Sequence, residues 1–484
     1  MKRSLLSNFI IANAIVCIFI TCYFLLFPCI TAIQGLWDPA ISGPGVSKLA
    51  WRVNKSLVPR YVKWVKQFKA TQKHNSVAST EWPLFGSVFF LWAQENLQEA
   101  WGSGDHTSGI EPRIFAKEAI NSAAELVADP KNAEWVKRKY GEDYPNHENL
   151  FYRYLVLSAL TSRELLLRDG KYNDQLRDQL MHLTKEFQAS STGLINDYPN
   201  ECYPADVIAA TTTIQKASKL LGVPYQQFVD SEKSHFSPET LPPYMANAET
   251  GQSNNLPRGC ANSYLCATTP DIWPTYGKDW MEIYIRDFWD TNAFISGFRE
   301  YPRSFKQGNW YGDADSGPVI AGYGVSASAF GIGAARKNGR FDIAYSLSAE
   351  MLTATIELPN GVLLMPYILS SLGDAPLLGE SAILWQLSIQ PSGTTIPSSR
   401  TPLIVPIVLG LMLTTGIVII IFQIRGIRDI RGITQLTNIQ VGVWIYLIFC
   451  AIAALIMGHW LIAISALYFS SFIVREKNQN ATRA

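Results

Sequence analysis

The sequence predicts an all-α protein in which a large helical domain lies between membrane-spanning segments. Apolar stretches without charge occur near both ends of the chain, and helix-period patterns alternate with loops between them. No run of convincing strand length interrupts this middle part. An array of helical hairpins is therefore expected, and a closed ring of six hairpins is one natural arrangement. The period fits an open solenoid equally well.

The first apolar segment, residues 9–33, carries no charged residue and follows Lys2 and Arg3. It is long enough to cross a bilayer, and it is longer than the apolar core of a usual signal peptide. No small-x-small cleavage pattern follows it. We therefore expect residues 1–33 to form an uncleaved transmembrane anchor, with a cleaved signal peptide as the alternative.

The C-terminal part, residues 401–484, contains the other apolar segments. Residues 402–423 are one predicted span, and residues 441–474 form an uncharged stretch that is too long for a single span. The tetrad at residues 457–460 divides this stretch, so a tight helical hairpin is expected. The sequence thus predicts about four transmembrane helices, three of them in this C-terminal membrane domain.

Basic residues at the ends of the spans set the expected orientation, because cytoplasmic loops are enriched in lysine and arginine. These residues are Lys2, Arg3, Arg425, Arg428, Arg431, Arg475, Lys477 and Arg483. Four spans place both termini and the 424–440 loop in the cytoplasm. Residues 34–400 then form one extracytoplasmic domain of a multi-pass protein in the cytoplasmic (inner) membrane.

Helix boundaries in the outer domain have clear signals at several points. Pro204 suits the first turn of a helix, and Gly222 suits its end. The pair Trp82-Pro83 predicts the start of another helix, which extends to about Ala100.

Residues 231–275 break the helical pattern, because they are rich in proline, asparagine, serine and glycine. Long loops in compact domains are usually functional or disordered, and we expect an ordered loop over the mouth of a site. Cys260 and Cys266 in this segment can pair in an oxidising compartment, which would leave Cys202 free. A free Cys202 without an evident base is a weak candidate for a nucleophile.

The balance of charge excludes one class of partner. The formal net charge is +1, and no basic cluster lies between the apolar segments. Nucleic-acid-binding proteins carry basic patches or stripes, so no nucleic-acid partner is expected. The sequence does not indicate an oligomeric state.

A glycine-rich stretch at residues 308–324, GNWYGDADSGPVIAGYG, places Asp313 and Asp315 two residues apart. A calcium-binding EF-hand would need glycine at Pro318 and an acid at Gly324. No strand-like run precedes the glycines, and no GxxxxGK follows, so a nucleotide loop is not indicated. We expect no metal and no cofactor, but a pocket role for at least one aspartate. Helix capping and close packing are the structural alternative.

Two stretches resemble the linalool dehydratase/isomerase family. Residues 146–215, which begin NHENLFYRYLVLSALTSRELLL, resemble its central helix pair and the loop that follows. The later YGDADSGPVIAGYGVSASAFGIGAAR resembles its aspartate- and glycine-rich stretch before a late helix. The resemblance covers roughly residues 80–350 and implies an (α/α)6 barrel, a toroid of paired helices.

The catalytic residues of that family are not matched here. Its two loop cysteines align with Asn196 and Ala205, and its helix histidine aligns with Leu155. An acidic residue after the first cysteine matches Asp197. Because the thiols and the imidazole are missing, we do not expect a membrane-tethered linalool dehydratase.

The resemblance instead directs attention to a set of acids in the loops. Loops at one end of an (α/α)6 barrel form its pocket, so distant acids are expected to converge there. Asp206 and Asp313 are the expected acid and base, in either order, and Asp315 and Glu300 are further catalytic candidates. The expected substrate-binding residues are Asp197, Tyr203, Arg258, Trp310 and Tyr311.

Three functions remain open at this stage. Paired carboxylates suit hydrolysis of, or elimination from, a glycan or glycoconjugate, and this interpretation makes the protein a membrane-anchored glycoside hydrolase-like or lyase-like enzyme. The family resemblance implies a lyase acting on an isoprenoid alcohol. The third possibility is a non-catalytic module for envelope assembly. An acid-lined pocket would favour the glycan enzyme, and a sealed apolar pocket would favour the isoprenoid lyase. A filled barrel would favour the assembly module.

Overall fold

The computed structural model describes residues 2–71, 77–142, 144, 149–305, 309–313, 315–398 and 400–429. The chain is mostly helical and forms two compact units. One contains Met1–Gln34, Ile356–Pro359 and the described residues from Val405 onward. The other, here called the outer unit, contains Gly35–Thr355 and Asn360–Ile404.

Helices dominate the described part of the chain. They are α1 Lys2–Thr21, α2 Phe27–Leu36, α3 Pro39–Ser42, α4 Lys48–Thr71, α5 Val77–Gly102, α6 Pro112–Phe115, α7 Lys117–Ala128, α8 Glu134–Tyr140, α9 Leu150–Leu167, α10 Asn173–Ala189, α11 Pro204–Leu221, α12 Gln226–Lys233, α13 Gly259–Thr268, α14 Pro274–Phe288, α15 Val325–Lys337, α16 Phe341–Thr355, α17 Leu364–Leu372, α18 Leu378–Ser388 and α19 Ile404–Asp429. The expectation of a mainly helical protein is confirmed.

Short strands are the departure from an all-helical chain. Strands β1 Trp289–Thr291 and β2 Ser296–Phe298 form an antiparallel hairpin. Strands β3 Trp310–Asp313, β4 Gly317–Ile320 and β5 Tyr323–Gly324 form a small antiparallel sheet. The hairpin and the small sheet both lie between α14 and α15. Their strands have two to four residues, which is too short for a sequence pattern to distinguish them from irregular loops.

Two helical segments are long and apolar enough to cross a membrane. They are Ile10–Leu36, in which a π-helical turn joins α1 to α2, and Ile404–Ile427 in α19. They overlap the predicted anchor at residues 1–33 and the predicted span at residues 402–423. The described part of the chain therefore contains two candidate spans, not four. The two spans predicted within residues 441–474 lie outside the described residues.

Six helices of the outer unit pack on one another in a circuit. Helix α5 packs against α9, α9 against α11, and α11 against α13. Helix α13 then packs against α15, α15 against α18, and α18 against α5 again. Other helices pack on members of this circuit, including α7 on α5 and α9, α10 on α9 and α11, and α16 on α15.

Neighbouring helices of the circuit run parallel where contacts fix their direction. Gly86 of α5 lies against Leu378 of α18, and Asn96 Nδ2 donates to Ser388 Oγ at 3.1 Å. From the first contact to the second, the position moves ten residues toward the C-terminus on both helices, so α5 and α18 run in the same direction. Tyr154 and Ser158 on α9 likewise meet Asp206 and Thr213 on α11, in that order.

The predicted boundaries of α11 are confirmed, because its local signals are strong. Pro204 occupies the first turn, and Gly222 ends the helix in the left-handed region with φ of 67°. Helix α5 instead begins at Val77, so Pro83 lies inside it.

The predicted loop at residues 231–275 is shorter than expected. Residues 259–268 form α13, one of the six helices in the circuit. Cys260 and Cys266 both lie on this helix as buried thiols, and the buried Cys202 likewise forms no disulfide with a described residue. The six-residue spacing on one helix separates the two sulfur atoms too far for a disulfide.

The start of α13 packs too closely for any side chain, which gives a testable prediction. A Cβ atom at Gly259 would lie 2.1 Å from the carbonyl oxygen of Arg299 and 3.0 Å from the Cβ of Ala327. We expect Gly259→Ala to lower the free energy of unfolding by about 3 kcal/mol. Gly312→Ala is the control, because no atom lies within 4 Å of the position that its Cβ would take. Equal urea midpoints for the two variants would contradict the prediction.

Candidate active site

The starts of the circuit helices meet at one end of the outer unit, here called the site end. Phe85 of α5 and Phe151 of α9 contact each other with ring centroids 5.6 Å apart. Glu300 accepts from the backbone N–H of Cys260 in α13 and lies against Gly324, which precedes α15. Helix N-termini carry partial positive charge, so this end favours carboxylates.

Asp206 is the central acid of the site. It lies in the first turn of α11, deep in the protein, yet part of its surface remains accessible. That combination is typical of a carboxyl group that lines a cavity. Burial raises the pKa of Asp206 to about 7, and the nearby charge of Asp315 adds to the rise. A carboxyl group with such a pKa carries a proton near neutral pH and can donate it.

Asp197 lies in the loop before α11 and interacts with Asp206. Its side chain is 1% exposed, and Oδ2 accepts from the backbone N–H of Tyr203 at 2.7 Å. Burial, followed by the charge of Asp206, raises the pKa of Asp197 well above its usual value, against the opposing effect of the Tyr203 N–H. The two carboxyl groups therefore cannot both ionise readily.

One buried phenol contacts Asp206, and a second buried phenol contacts the first. The hydroxyl of Tyr154 on α9 lies 3.4 Å from Asp206 Oδ1 and 3.4 Å from the hydroxyl of Tyr264 on α13. Phenol donors stabilise the ionised form of the acid, so Tyr154 opposes the rise in the pKa of Asp206. The site thus contains groups that favour each protonation state.

An aromatic wall lies next to Tyr264 inside the circuit. Its rings contact one another with centroid distances between 4.2 and 6.2 Å. They are Phe85, Phe89, Trp92, Phe330 and Trp385, from α5, α15 and α18. Phe85 and Phe330 keep part of their surface accessible, and Phe89, Trp92 and Trp385 are buried. The acids therefore adjoin an apolar aromatic surface.

A third buried acid, Glu81, faces the site from α5. Its Oε2 accepts from the hydroxyl of Tyr198 at 2.6 Å, and Lys139 lies 3.4 Å from the centroid of the Tyr198 ring. Burial raises the pKa of Glu81, against the opposing effects of Tyr198 and Lys139. The charge of Asp315 also raises this pKa, so Glu81 and Asp315 face the same region.

Arg258 organises a separate cluster beside these acids. Its Nε donates to Glu300 Oε1 at 2.7 Å, and its Nη2 lies 3.1 Å from Asp313 Oδ1. The thiol of Cys260 also donates to Glu300 Oε1, at 3.2 Å. Burial raises the pKa of Glu300, and the charge of Arg258 opposes that rise. The close guanidinium keeps Glu300 in a buried ion pair.

Asp313 belongs to this ion-paired cluster. Burial acts to raise its pKa, but backbone N–H groups of Ser316 and Asp315 and the charge of Arg258 outweigh that effect and lower it. Both N–H groups donate to Asp313 Oδ1 at 2.9 Å. Asp313 thus shapes the turn between β3 and β4 and remains ionised near neutral pH.

Asp315, in contrast, acts on Asp206. Its carboxylate accepts from the hydroxyl of Tyr244, and its charge raises the pKa values of Asp206, Glu81 and Tyr203. Among neighbouring charges, that of Asp315 has the largest effect on the pKa of Asp206. Asp315 is itself exposed to solvent. It is therefore an accessible carboxylate that faces the buried acids.

Tyr244 joins the two clusters. Its hydroxyl donates to Asp315, and the guanidinium of Arg258 lies 4.5 Å from the centroid of its ring. The ring of Tyr203 contacts it with centroids 5.2 Å apart. The acids around Asp206 and the ion pairs of Arg258 thus share one aromatic neighbour.

The aromatic residues of β3 point to opposite sides. Tyr311 shares the Asp313 side of the strand, and its buried hydroxyl has no hydrogen-bond partner among the described residues. Trp310 is 72% exposed. Tyr311 therefore adjoins the Arg258 cluster, and Trp310 faces solvent as a candidate stacking surface.

The structure thus sorts the predicted residues into two groups at the site end. One group surrounds the buried acids and contains Asp197, Tyr203, Asp206 and Asp315. The other surrounds Arg258 and contains Glu300, Tyr311 and Asp313. Trp310 lies outside both.

Sequence reasoning missed Glu81 and the tyrosines at 154, 198, 244 and 264. A signal for Glu81 was present, because it is the acid at the start of a long apolar helix. The tyrosines are ordinary core residues by sequence, and only their convergence on carboxylates distinguishes them. Within the described ranges, no group of three or more histidine, cysteine or acidic residues is arranged to hold a metal ion.

Comparison with known proteins adds no assignment to this geometry. No protein-family model matches the sequence, and no curated protein matches it at a significant level. The resemblance to the linalool dehydratase/isomerase family therefore stays an expectation that depends on residues 146–215 and on the glycine-rich stretch before α15.

Proposed function

We propose that the outer unit is an (α/α)6-barrel enzyme that breaks a C–O bond by acid/base catalysis. The circuit of six helices supports a barrel, because its last helix packs on its first and neighbours run parallel where contacts fix their direction. We also propose the cellular arrangement expected from the sequence, with four spans, both termini in the cytoplasm and the outer unit outside.

Asp206 carries this proposal, because it combines a pKa of about 7 with an accessible surface and phenolic neighbours. We assign it as the general acid that protonates the leaving oxygen. Asp315 is the proposed base, since it is accessible to solvent and its charge acts directly on Asp206. Asp197 is a positioning residue, because its buried carboxyl group and that of Asp206 oppose each other's ionisation.

This assignment changes the roles of two residues from those expected. Asp313 and Glu300 are both held by Arg258. The pKa of Asp313 is lowered, so Asp313 holds its charge near neutral pH. Glu300 is fully buried, and its two carboxylate oxygens accept from Arg258 and from the backbone N–H of Cys260. We propose that both support the turn between β3 and β4 and the start of α13, and that neither transfers a proton.

The proposed substrate is a glycan or glycoconjugate. One protonated and one ionised carboxyl group on opposite sides of a glycosidic bond suffice for its hydrolysis. Tyr203 and Tyr244 supply ring faces near the acids for sugar stacking, and Trp310 supplies an exposed ring face outside the two groups of site residues. Arg258 supplies a cation beside them, although its charge is already paired.

The aromatic wall favours a second candidate, elimination of water from an isoprenoid alcohol. Phe85 and Phe330 offer an apolar surface next to the acids, and aromatic faces stabilise a developing carbocation. This chemistry also needs an acid for the hydroxyl group and a base for the adjacent proton. A non-catalytic assembly module is the third candidate, and nothing in the site requires it.

Turnover by the full chain tests the proposal. We expect sugar release from a glycan library by the wild type, and a loss of more than about 10²-fold in kcat for Asp315→Asn. Asp313→Asn is the matched control two residues away, with a smaller loss expected. Release of an isoprenoid alkene without sugar release would favour the second candidate. If neither is released by folded protein, the enzymatic proposal is wrong. A larger loss in Asp313→Asn would return the base role to that residue.

A further inference from the structure

The chain leaves the outer unit at the same end as the site. The backbone N–H groups of Leu403 and Ile404, where α19 begins, donate to the carbonyl oxygens of Ala293 and Phe294 at 3.1 and 2.9 Å. Those two carbonyls form the tip of the β1–β2 hairpin. The exit toward the second apolar segment therefore lies beside this hairpin.

The hairpin leads directly into the site. From Phe294 the chain runs through β2 to Glu300, which binds Arg258. Six residues of fully extended chain span at most about 21 Å. The backbone N–H of Phe298 in β2 donates to Ser328 Oγ in the first turn of α15 at 3.1 Å, so the hairpin that holds the start of α19 lies at the site end.

The chain enters the outer unit at a neighbouring point. Gly35 lies against Leu352 on α16, where a Cβ atom would approach the leucine side chain to 2.8 Å. Two residues earlier on α16, Glu350 Oε1 accepts from the backbone N–H of Ser296 in β2 at 2.7 Å. The points of entry and exit therefore both adjoin β2, at the site end.

Exposed apolar side chains lie at these two points and also beside the start of α18, where Ser370 Oγ accepts from the backbone N–H of Gly379. Trp37 is 80% exposed just after α2, and Phe294 and Leu403 are 59% and 46% exposed. Leu372, at the end of α17, is 80% exposed. The next residue, Gly373, lies against the ring of Trp82, which adjoins Glu81 of the site. Exposed apolar patches mark interaction surfaces, and aromatic residues concentrate at membrane–water interfaces.

We propose that the site end of the outer unit lies on the lipid surface, and that the substrate is an amphiphile held in that membrane. Its lipid part stays in the bilayer, and the C–O bond next to its head group reaches Asp206. The surface that contacts lipid contains Trp37, Phe294, Leu372 and Leu403. The choice of substrate rests on the proposed function, but the contact with lipid does not.

Fluorescence of the full chain in vesicles tests the lipid contact. Leu372→Cys and Phe294→Cys are labelled with an environment-sensitive dye, in vesicles of phosphatidylethanolamine and phosphatidylglycerol that contain doxyl-labelled phosphatidylcholine. The matched control is Ile114→Cys, which is 62% exposed and follows the opposite end of α5. Unsubstituted protein gives the background from native thiols.

We expect the dyes at 372 and 294 to be quenched by doxyl lipid at least about twofold more than the dye at 114. Equal quenching at all three positions would overturn the proposed contact. So would strong quenching by aqueous iodide at 372 and 294. Neither result depends on catalytic activity.

Kinetics test the nature of the substrate. The double variant Leu372→Glu/Phe294→Glu should raise KM for a lipid-linked glycan about tenfold and leave kcat unchanged. Turnover of the same glycan without its lipid should be slow in the wild type and unaffected by the substitutions. Equal kcat/KM for the two forms would contradict the proposal that the substrate is an amphiphile. It would not contradict the proposed acid/base function. If neither the lipid-linked glycan nor the free glycan is turned over, the proposed function is contradicted. The lipid contact is then decided by the fluorescence measurement alone.

Discussion

Asp206→Asn should lower kcat by about 10²–10⁴-fold, because a positioned general acid contributes that much to a reaction rate. Wild-type kcat should itself fall as the pH rises through about 7, where Asp206 loses its proton. The measurement is a pH–rate profile of both proteins on the same substrate. A variant that retains full activity would exclude Asp206 as the acid.

The same substitution should increase stability at alkaline pH. The pKa of Asp206 is raised by folding, so between about pH 4 and 7 the folded protein binds a proton that the unfolded chain has released. Its contribution to the free energy of unfolding is therefore full below about pH 4 and is lost as the pH rises through 7. Asparagine has no proton to lose. We expect Asp206→Asn to be more stable than the wild type by up to about 2 kcal/mol near pH 8.

Thermal unfolding of both proteins across this pH range checks the sign. The difference in Tm should grow from low to high pH. A difference that is constant across the range would show that Asp206 titrates in the folded protein as it does in the unfolded chain. Asp287→Asn, at an exposed ion pair, is the control and should show no such increase.

Arg258→Met should lower the free energy of unfolding of the outer unit by about 3–5 kcal/mol, because it leaves a buried acid without its counter-charge. Glu300 is fully buried, and Arg258 is the cation in its ion pair. Arg258 also pairs with Asp313 at the turn that precedes β4. Urea unfolding of the detergent-solubilised full chain measures the effect.

The control for this prediction is Arg286→Met, at the exposed pair with Asp287. Exposed ion pairs contribute about 0–1 kcal/mol, so its unfolding midpoint should barely change. The double variant Arg258→Met/Glu300→Gln should recover part of the lost stability. Equal midpoints for Arg258→Met and Arg286→Met would show that Glu300 does not carry a charge in the folded protein.

Sequence patterns were informative where local chemistry decides the structure. The boundaries of α11 follow from Pro204 and Gly222, and Asp206 in its first turn follows from the preference of carboxylates for helix N-termini. Helix α13 could not be predicted so easily. Its ten residues have a weak helical pattern and are buried nearly all around by neighbouring helices. Tertiary packing, which the local sequence does not show, determines this helix.

The roles of the acids likewise could not be predicted from local sequence, because contacts with distant residues determine them. Asp313 and Asp315 are equivalent as a sequence pattern, being two aspartates in one glycine-rich turn. Their difference arises because Arg258, distant in sequence, pairs with Asp313, whereas the charge of Asp315 acts on Asp206. Arg258 was expected to bind substrate, but its contacts are with the protein's own acids.

The packing of α18 on α5 has a consequence for how the protein is made. Asn96 and Ser388 are 292 residues apart in sequence, so the contact between the first and last helices of the circuit forms only after nearly all of the outer unit has been synthesised. Contacts of such long range slow folding, and incomplete folding intermediates expose apolar surface. Until α18 arrives, the flank of α5 that it covers stays open to other chains. The nascent protein therefore has a late and vulnerable folding step, at a time when its first apolar segment has already left the ribosome.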